Sequence, residues 1–483
     1  MRRGLAGCLF ATLLLTSAVS AAGPPDETSA LASLQRAVIE AIDRAAPSVV
    51  AIARVRESTE AGRIIPRPDP FGREAHVPEE PAPTDPDFVP NAYATGVVVD
   101  RGGLILTAHH VLAEQSTYYV TTNDRKVYRA VVRAADPRSD LAVLSIQAGS
   151  MKPISFGDGS QLKRGQFVIA LGNPHAIARD GQPSASWGII SNLSRKAPPR
   201  PSADDPTGRG TLHHFGTLIQ TDARLNLGTS GGPLLDLEGR MVGLCVSLAA
   251  VKGHDTDAGY AIPVDRLFHR ALDQLKQGRE VQYGFLGIRP TNLRPDEVRA
   301  GLHGTRVAEV VPGTPAQRDG LRPGDLIRAV DGRPIHSADG LYLQVGKLPV
   351  ESTTRLDVLR DRRPRRVDVR LTKYPVRGRT VATSREPAWR GLRVDYLSAW
   401  IDASGGPLRR GVAFDEGVAV SHVEPGSPAA LGGLRPGTII TAVAGQPVAT
   451  PKQFRRAVAG HAGPVELSTL DAVREGTLTV PPP

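Results

Sequence analysis

Asn226-Leu-Gly-Thr-Ser-Gly-Gly-Pro-Leu-Leu235 decides how this chain is read. Ser230 lies between Gly228 on one side and Gly231, Gly232 and Pro233 on the other, in a backbone free to turn tightly without steric conflict. If the N–H groups of Gly228 and Ser230 face one small space, they can hold an oxygen that becomes negative during acyl transfer. The Ser230 hydroxyl would then attack the carbon beside it. Gly228-Thr-Ser-Gly-Gly232 also satisfies the G-x-S-x-G pattern of the α/β-hydrolase elbow, so the loop alone leaves two chemistries and an ordinary tight turn open. The choice rests on which histidine and carboxylate accompany the serine, and in what order.

Upstream, the apolar run Leu104-Ile-Leu-Thr-Ala-His-His-Val-Leu112 ends in a histidine pair, and Asp140 in Asp136-Pro-Arg-Ser-Asp-Leu-Ala-Val-Leu144 opens another apolar run. The order His, Asp, Ser is that of the chymotrypsin-type site, whereas the hydrolase elbow needs both partners after the serine. After Ser230 the candidates are His254 and carboxylates such as Asp236, in polar stretches without a parallel βαβ pattern. Short strands follow one another closely, among them 95–100, 104–107, 118–121, 127–132, 141–144, 167–171 and 187–190. Gly, Asp and Pro turns separate them, which predicts antiparallel barrels or a sandwich. The adjacent pairs His109-His110 and His213-His214 do not have the spacing of a metal site, and no metal is expected.

At 483 residues the chain predicts roughly three domains. With 40% apolar and 22% charged residues it has the composition of a soluble globular protein, and 50 Gly with 41 Pro favour turn-rich β domains. Met1-Arg-Arg, an apolar run from Leu5 to about Val19 and the small residues Ser20-Ala21-Ala22 predict a signal peptide over 1–22 and an exported chain. Cys245 is then the one cysteine left, which excludes an internal disulfide and reads as a small apolar residue on a buried strand. Much of the excess behind the formal charge of +10 lies between Arg355 and Arg379, in what reads as a β-hairpin with a charged turn. Nucleic acid is not expected as a partner of an exported protein. A helix is predicted from Ser29 to Ala46, and an exposed proline-rich loop over 57–89.

Beyond residue 280, the stretch Pro312 to Ile335 recurs without gaps as Pro425 to Val448, with 14 of 24 positions identical. One repetition at so long a period means two tandem copies of a domain, with a polar linker around Lys373 to Pro387 between them.

Thr107-Ala-His-His-Val111, Asp136 to Val143, Leu171-Gly-Asn-Pro174, Gly188-Ile-Ile-Ser191, Gln220-Thr-Asp222 with Asn226 to Leu234, and Ala258 to Pro263 stand in one order along the chain. In that order they resemble the HtrA/DegP family of exported serine proteases. The resemblance implies a mainly β protein: a chymotrypsin-like double β-barrel over 23–280, a first PDZ domain over 283–374 and a second, divergent one over 388–475. It implies His110 as base, Asp140 as its orienting carboxylate, Ser230 as nucleophile, and the amides of Gly228 and Ser230 as oxyanion hole, with no cofactor. His109 is left to packing or a local hydrogen bond. Thr229 and Leu227 stand where the family has Asn and Pro, and His175 where it has Phe.

The resemblance further implies cleavage of unfolded or misfolded proteins in extracytoplasmic quality control, regulation through the PDZ domains, and assembly as a trimer or a multiple of one. In the first PDZ copy Phe285, Leu286, Gly287 and Ile288 are expected to form the loop that takes a C-terminal peptide. Setting Trp389-Arg-Gly-Leu-Arg-Val394 against that run puts Arg393 in the place of Gly287. On that reading the second copy serves assembly or docking.

Overall fold

The computed structural model describes residues 27–56, 63–64, 88–90, 92–173, 181–198, 208–246, 259–400, 413–470 and 475–483. The expected signal segment, His175, His254 and most of the expected 57–89 loop lie outside these. The helix Glu27–Ala45 comes first. It buries Ala41 and Ala45, with Val38 and Ile42 half-buried beside them, while Leu31 (68% exposed) and Ile39 (49%) face outward. Small residues let the helix sit close to the barrel, so alanines rather than the larger apolar residues carry its inner face.

Six antiparallel strands close the first barrel: Val49–Arg56, Ala92–Val98, Leu104–Ala108, Leu141–Ser145, Val127–Asp136 and Ser116–Thr121, the last pairing back with the first. The second is closed by Ser184–Arg195, Leu218–Thr221, Gly259–Pro263, Met241–Val246, Pro233–Leu235 and Phe167–Gly172. Apolar side chains from both, including Leu106, Leu141, Ile169, Leu171, Leu235 and Leu244, form one continuous core between them. A helix, Arg266–Lys276, capped by the Asp265 carboxylate accepting from Phe268 N, seals this core with Phe268, Ala271, Leu272 and Leu275.

Two copies of a smaller unit follow. In the first, Ile288–Asn292, Thr305–Val310, Leu326–Val330, Thr353–Arg360 and Arg363–Arg370 form the sheet, with the helix Ala338–Gly346 beside its edge strand. In the second, Leu392–Tyr396, Val418–Val423, Ile439–Val443, Val465–Leu470 and Glu475–Val480 repeat the order, with the helix Pro451–Val458. The arginine-rich stretch is a hairpin, turned at Asp361 and Arg362, both at positive φ.

The structure corrects one correspondence. Gly287 (φ +89°) lies against Thr314, and in the second copy it is Gly391 (φ +81°) that lies against Ser427, the residue that the repeat matches to Thr314. Gly287 O accepts from Val311 N, and Gly391 O from Glu424 N. Arg393 is therefore not in the place of Gly287; the position that differs is Leu286, where the second copy has Arg390. The linker expected between the copies is also not free: Val381–Ala382 adds a seventh strand to the first barrel, pairing with Ala135 and Ala134.

Candidate active site

The strand Leu104–Ala108 ends in a single tight turn, His109–Val111, directly across from the start of Leu141–Ser145, since Ala108 pairs with Leu141. That register brings Asp140 under the turn. His109 N donates to Asp140 O (2.9 Å) and His110 N to Asp140 Oδ1 (2.9 Å), and Asp140 adopts φ +54°, a conformation uncommon for a residue other than glycine. The second carboxylate oxygen, Oδ2, meets His110 Nδ1 at 2.8 Å. Burial acts to raise the Asp140 pKa, but the charge and hydrogen bond of His110, helped by His213 and His109, outweigh it and hold the group at about 2. A permanent carboxylate at Nδ1 requires the proton there, leaving Nε2 as an acceptor.

Nε2 faces the Ser230 hydroxyl at 3.2 Å. The serine loop hangs on the second barrel, with Gly231 N donating to Cys245 O and Cys245 N to Gly232 O (both 2.8 Å). Gly231 (φ +85°) has no room for a side chain, because a Cβ would sit 2.1 Å from Thr95 O. The structure thus brings His110, Asp140, Ser230 and Gly228 together at the junction of the barrels. Burial pushes the Cys245 thiol up to about 12, so it packs as an inert apolar group.

Sequence reasoning missed Thr95 and Thr107. Thr95 N donates to Ser230 O (2.9 Å), its hydroxyl donates to Gly228 O (2.7 Å) and accepts from Asn173 N (2.8 Å), and Thr107 Oγ1 donates to Thr95 O (2.8 Å). These two fully buried threonines clamp the serine loop of one barrel to the strands of the other. The one available signal was a polar residue in each of two apolar strands. His213, weighed from the sequence only as half of a metal-site pair, has a structural part here: its Nε2–H donates to Ser139 O (3.0 Å) and its Nδ1 accepts from Thr217 Oγ1 (2.7 Å), bracing the residue before Asp140. In the first small unit Leu286 is buried with its carbonyl bonded to Ala316 N, and Ile288 opens the edge strand. Phe285 packs edge-on against Tyr374 and Phe414.

Residues 94–244 match the trypsin-like peptidase domain family, and 284–371 and 420–467 each match a PDZ domain family. The chain is 32% identical over 403 residues to a probable periplasmic serine endoprotease DegP-like of Chlamydia muridarum, an alignment covering 81% of this chain and 74% of the relative. It is 30% identical over 371 residues to the periplasmic serine endoprotease DegP of Salmonella typhimurium, covering 76% of this chain and 71% of that one. Among solved structures, the HtrA-type protease AlgW with decapeptide superposes with a TM-score of 0.52 at 25% identity, over 70% of this chain and 99% of that chain. Among the described residues no helix is long and apolar enough to cross a membrane.

Proposed function

This chain belongs to the HtrA/DegP family of periplasmic serine endoproteases, and from that premise we propose that it cleaves unfolded or misfolded proteins with His110, Asp140 and Ser230 as its triad. His110 Nε2 takes the Ser230 proton as Oγ attacks the scissile carbonyl, and the amides of Gly228 and Ser230 receive the oxyanion. Asp140 stabilises the imidazolium so formed, which then protonates the leaving amine. The observation that carries the reading is the contact chain Asp140 Oδ2, His110 Nδ1, His110 Nε2, Ser230 Oγ at 2.8 and 3.2 Å. Leu225, packed against Gly259, offers an apolar wall and no acidic group, which suits a small aliphatic side chain before the cut.

We also propose that the protease unit spans 23–280 and the PDZ units 283–374 and 388–480; the end expected at 475 moves outward because the strand Glu475–Val480 pairs with Val465–Leu470 and completes the second sheet. C-terminal peptides bind at Phe285, Leu286, Gly287 and Ile288, adding to the edge strand Ile288–Asn292, and raise the rate; the chain assembles as a trimer or a multiple of it. Casein degradation by the purified chain and by Ser230→Ala tests the chemistry: loss in the variant is expected, and equal turnover by both would refute it. Stimulation of cleavage by C-terminal peptides, and native mass measurement, test the other two.

A further inference from the structure

The strand Val127–Asp136 is covered on one side by Ser116–Thr121 only as far as Ala130, which leaves an open edge along its second half. The segment joining the two PDZ copies fills that edge. Tyr374 lies 3.5 Å beneath the Arg138 guanidinium, Val376 packs on the barrel core, and Val381 and Ala382 pair with Ala135 and Ala134. Thr383 Oγ1 then donates to Arg133 O (2.8 Å) and Ser384 N to Gly278 O (2.8 Å). Between these anchors the carbonyl of Arg379 meets His109 Nε2 at 3.0 Å. A carbonyl can only accept, so Nε2 of His109 carries the proton. The turn bearing His110 is thereby held on one side by Asp140 and on the other by the linker.

We propose that His109 is a positioning residue for His110, and that it acts by tying the catalytic turn to the linker strand between the PDZ domains. The proposal rests on the triad assigned above. It makes occupancy of the barrel edge by residues 379–384 a condition for full turnover, without any contact between the linker and substrate. The test measures kcat and KM of the full chain on a short chromogenic peptide. His109→Ala is expected to lose about tenfold in kcat with KM unchanged. His109→Gln, which keeps a donor at a similar reach, is expected to retain most of the rate. Thr383→Val and Val381→Pro loosen the linker without touching the turn and are expected to lower kcat in the same way, with no further loss when combined with His109→Ala. Wild-type kcat in His109→Ala, no rescue by glutamine, or losses that multiply in the combined variants would each overturn the proposal. Should His109→Ala fail to fold, the two linker variants decide alone: wild-type kcat in both overturns it. Absence of fluorophosphonate labelling at Ser230 in the wild-type chain would overturn the triad assignment and this inference together, whereas labelling with unchanged kcat in the variants would overturn the inference alone.

Discussion

The two PDZ copies have the same strand order and matching registers, yet they are built into the molecule differently. In the first, Tyr283 is fully buried against the protease: burial and the neighbouring Asp136 carboxylate raise its pKa, so the phenol keeps its proton and donates it to Asp136 Oδ2. That carboxylate oxygen also accepts from Ser139 N (2.9 Å), the residue before Asp140. The helix Ala338–Gly346 adds Tyr342 against Phe215 and Asp339 to Lys196 at 2.6 Å. In the second copy the residue matching Leu286 is Arg390, whose guanidinium turns inward and bonds to the carbonyls of Val480, Pro481, His461 and Gly463. Its edge strand and helix line a cleft of about 890 Å³ whose far wall includes Arg270 and Gln274 of the protease helix. One repeat unit thus serves two purposes, because docking is decided by the residues at which the copies differ.

The largest effect expected belongs to what the copies share. Lys373, 4% exposed, bridges Glu280 (2.8 Å) before the first copy and Asp395 (2.7 Å) in the second. Burial works against its charge, but Asp395 and Glu280 outweigh it and its pKa is raised; burial raises Glu280 as well, so Asp395 is the stronger partner. Lys373→Met leaves two partly buried carboxylates facing each other without their cation and is expected to cost about 3 kcal/mol in the docking of both copies, read as earlier proteolytic nicking and a lower first unfolding transition. An unchanged transition would show that the copies dock independently. Arg390→Leu gives the second copy the residue of the first and removes its carbonyl clamp. We expect a loss of about 2 to 3 kcal/mol in that domain by calorimetry, with peptidase kcat unchanged. A fall in kcat would erase the distinction between the copies.

Acid provides the next test. Asp140 has a folded pKa of about 2, below the ordinary value of 3.8, so its stabilising contribution is complete above about pH 4 and is lost as pH falls through 2. Denaturant titrations at pH 5 and pH 2 are expected to show the protease unit losing about 2 kcal/mol more in wild type than in Asp140→Asn. The same excess is expected in Arg390→Leu, since the second copy does not reach this loop. The smallest effect is expected from Tyr283→Phe, about 1 kcal/mol with a severalfold lower kcat, because Asp136 retains Ser139 as a donor. Identical kcat would mean that the first copy does not brace the loop that carries Asp140.

Much of this was legible from local pattern. The glycine-flanked serine, the histidine pair at the end of an apolar run and the aspartate opening another are each set by a few consecutive residues, and the 113-residue repeat is visible as text. The misplacement of Arg393 came from matching two short runs by position, two residues out of frame; in the correct frame Phe285, Gly287, Ile288 and Arg289 stand against Trp389, Gly391, Leu392 and Arg393. The packing of the two glycines against Thr314 and Ser427 was needed to fix the frame. Thr95 reads as one more strand residue, and its grip on Gly228 spans 133 positions. The linker at 373–387 has the polar composition of a free connector, and nothing in it announces an open edge on a strand some 250 residues earlier.

By itself the sequence determined a strand-rich chain with a tandem repeat and offered the three side chains of the proposed triad, because turn chemistry, strand patterning and repeat identity act over short spans of chain; the double barrel and the PDZ folds were implied by the resemblance of its ordered motifs to a known family. Only the tertiary structure decided how the serine loop is clamped, which glycine shapes the second PDZ loop, and that the segment between the PDZ copies runs beside the histidine proposed as base. Those depend on backbone donors and acceptors, which every residue carries alike, and the fold alone chooses which of them meet.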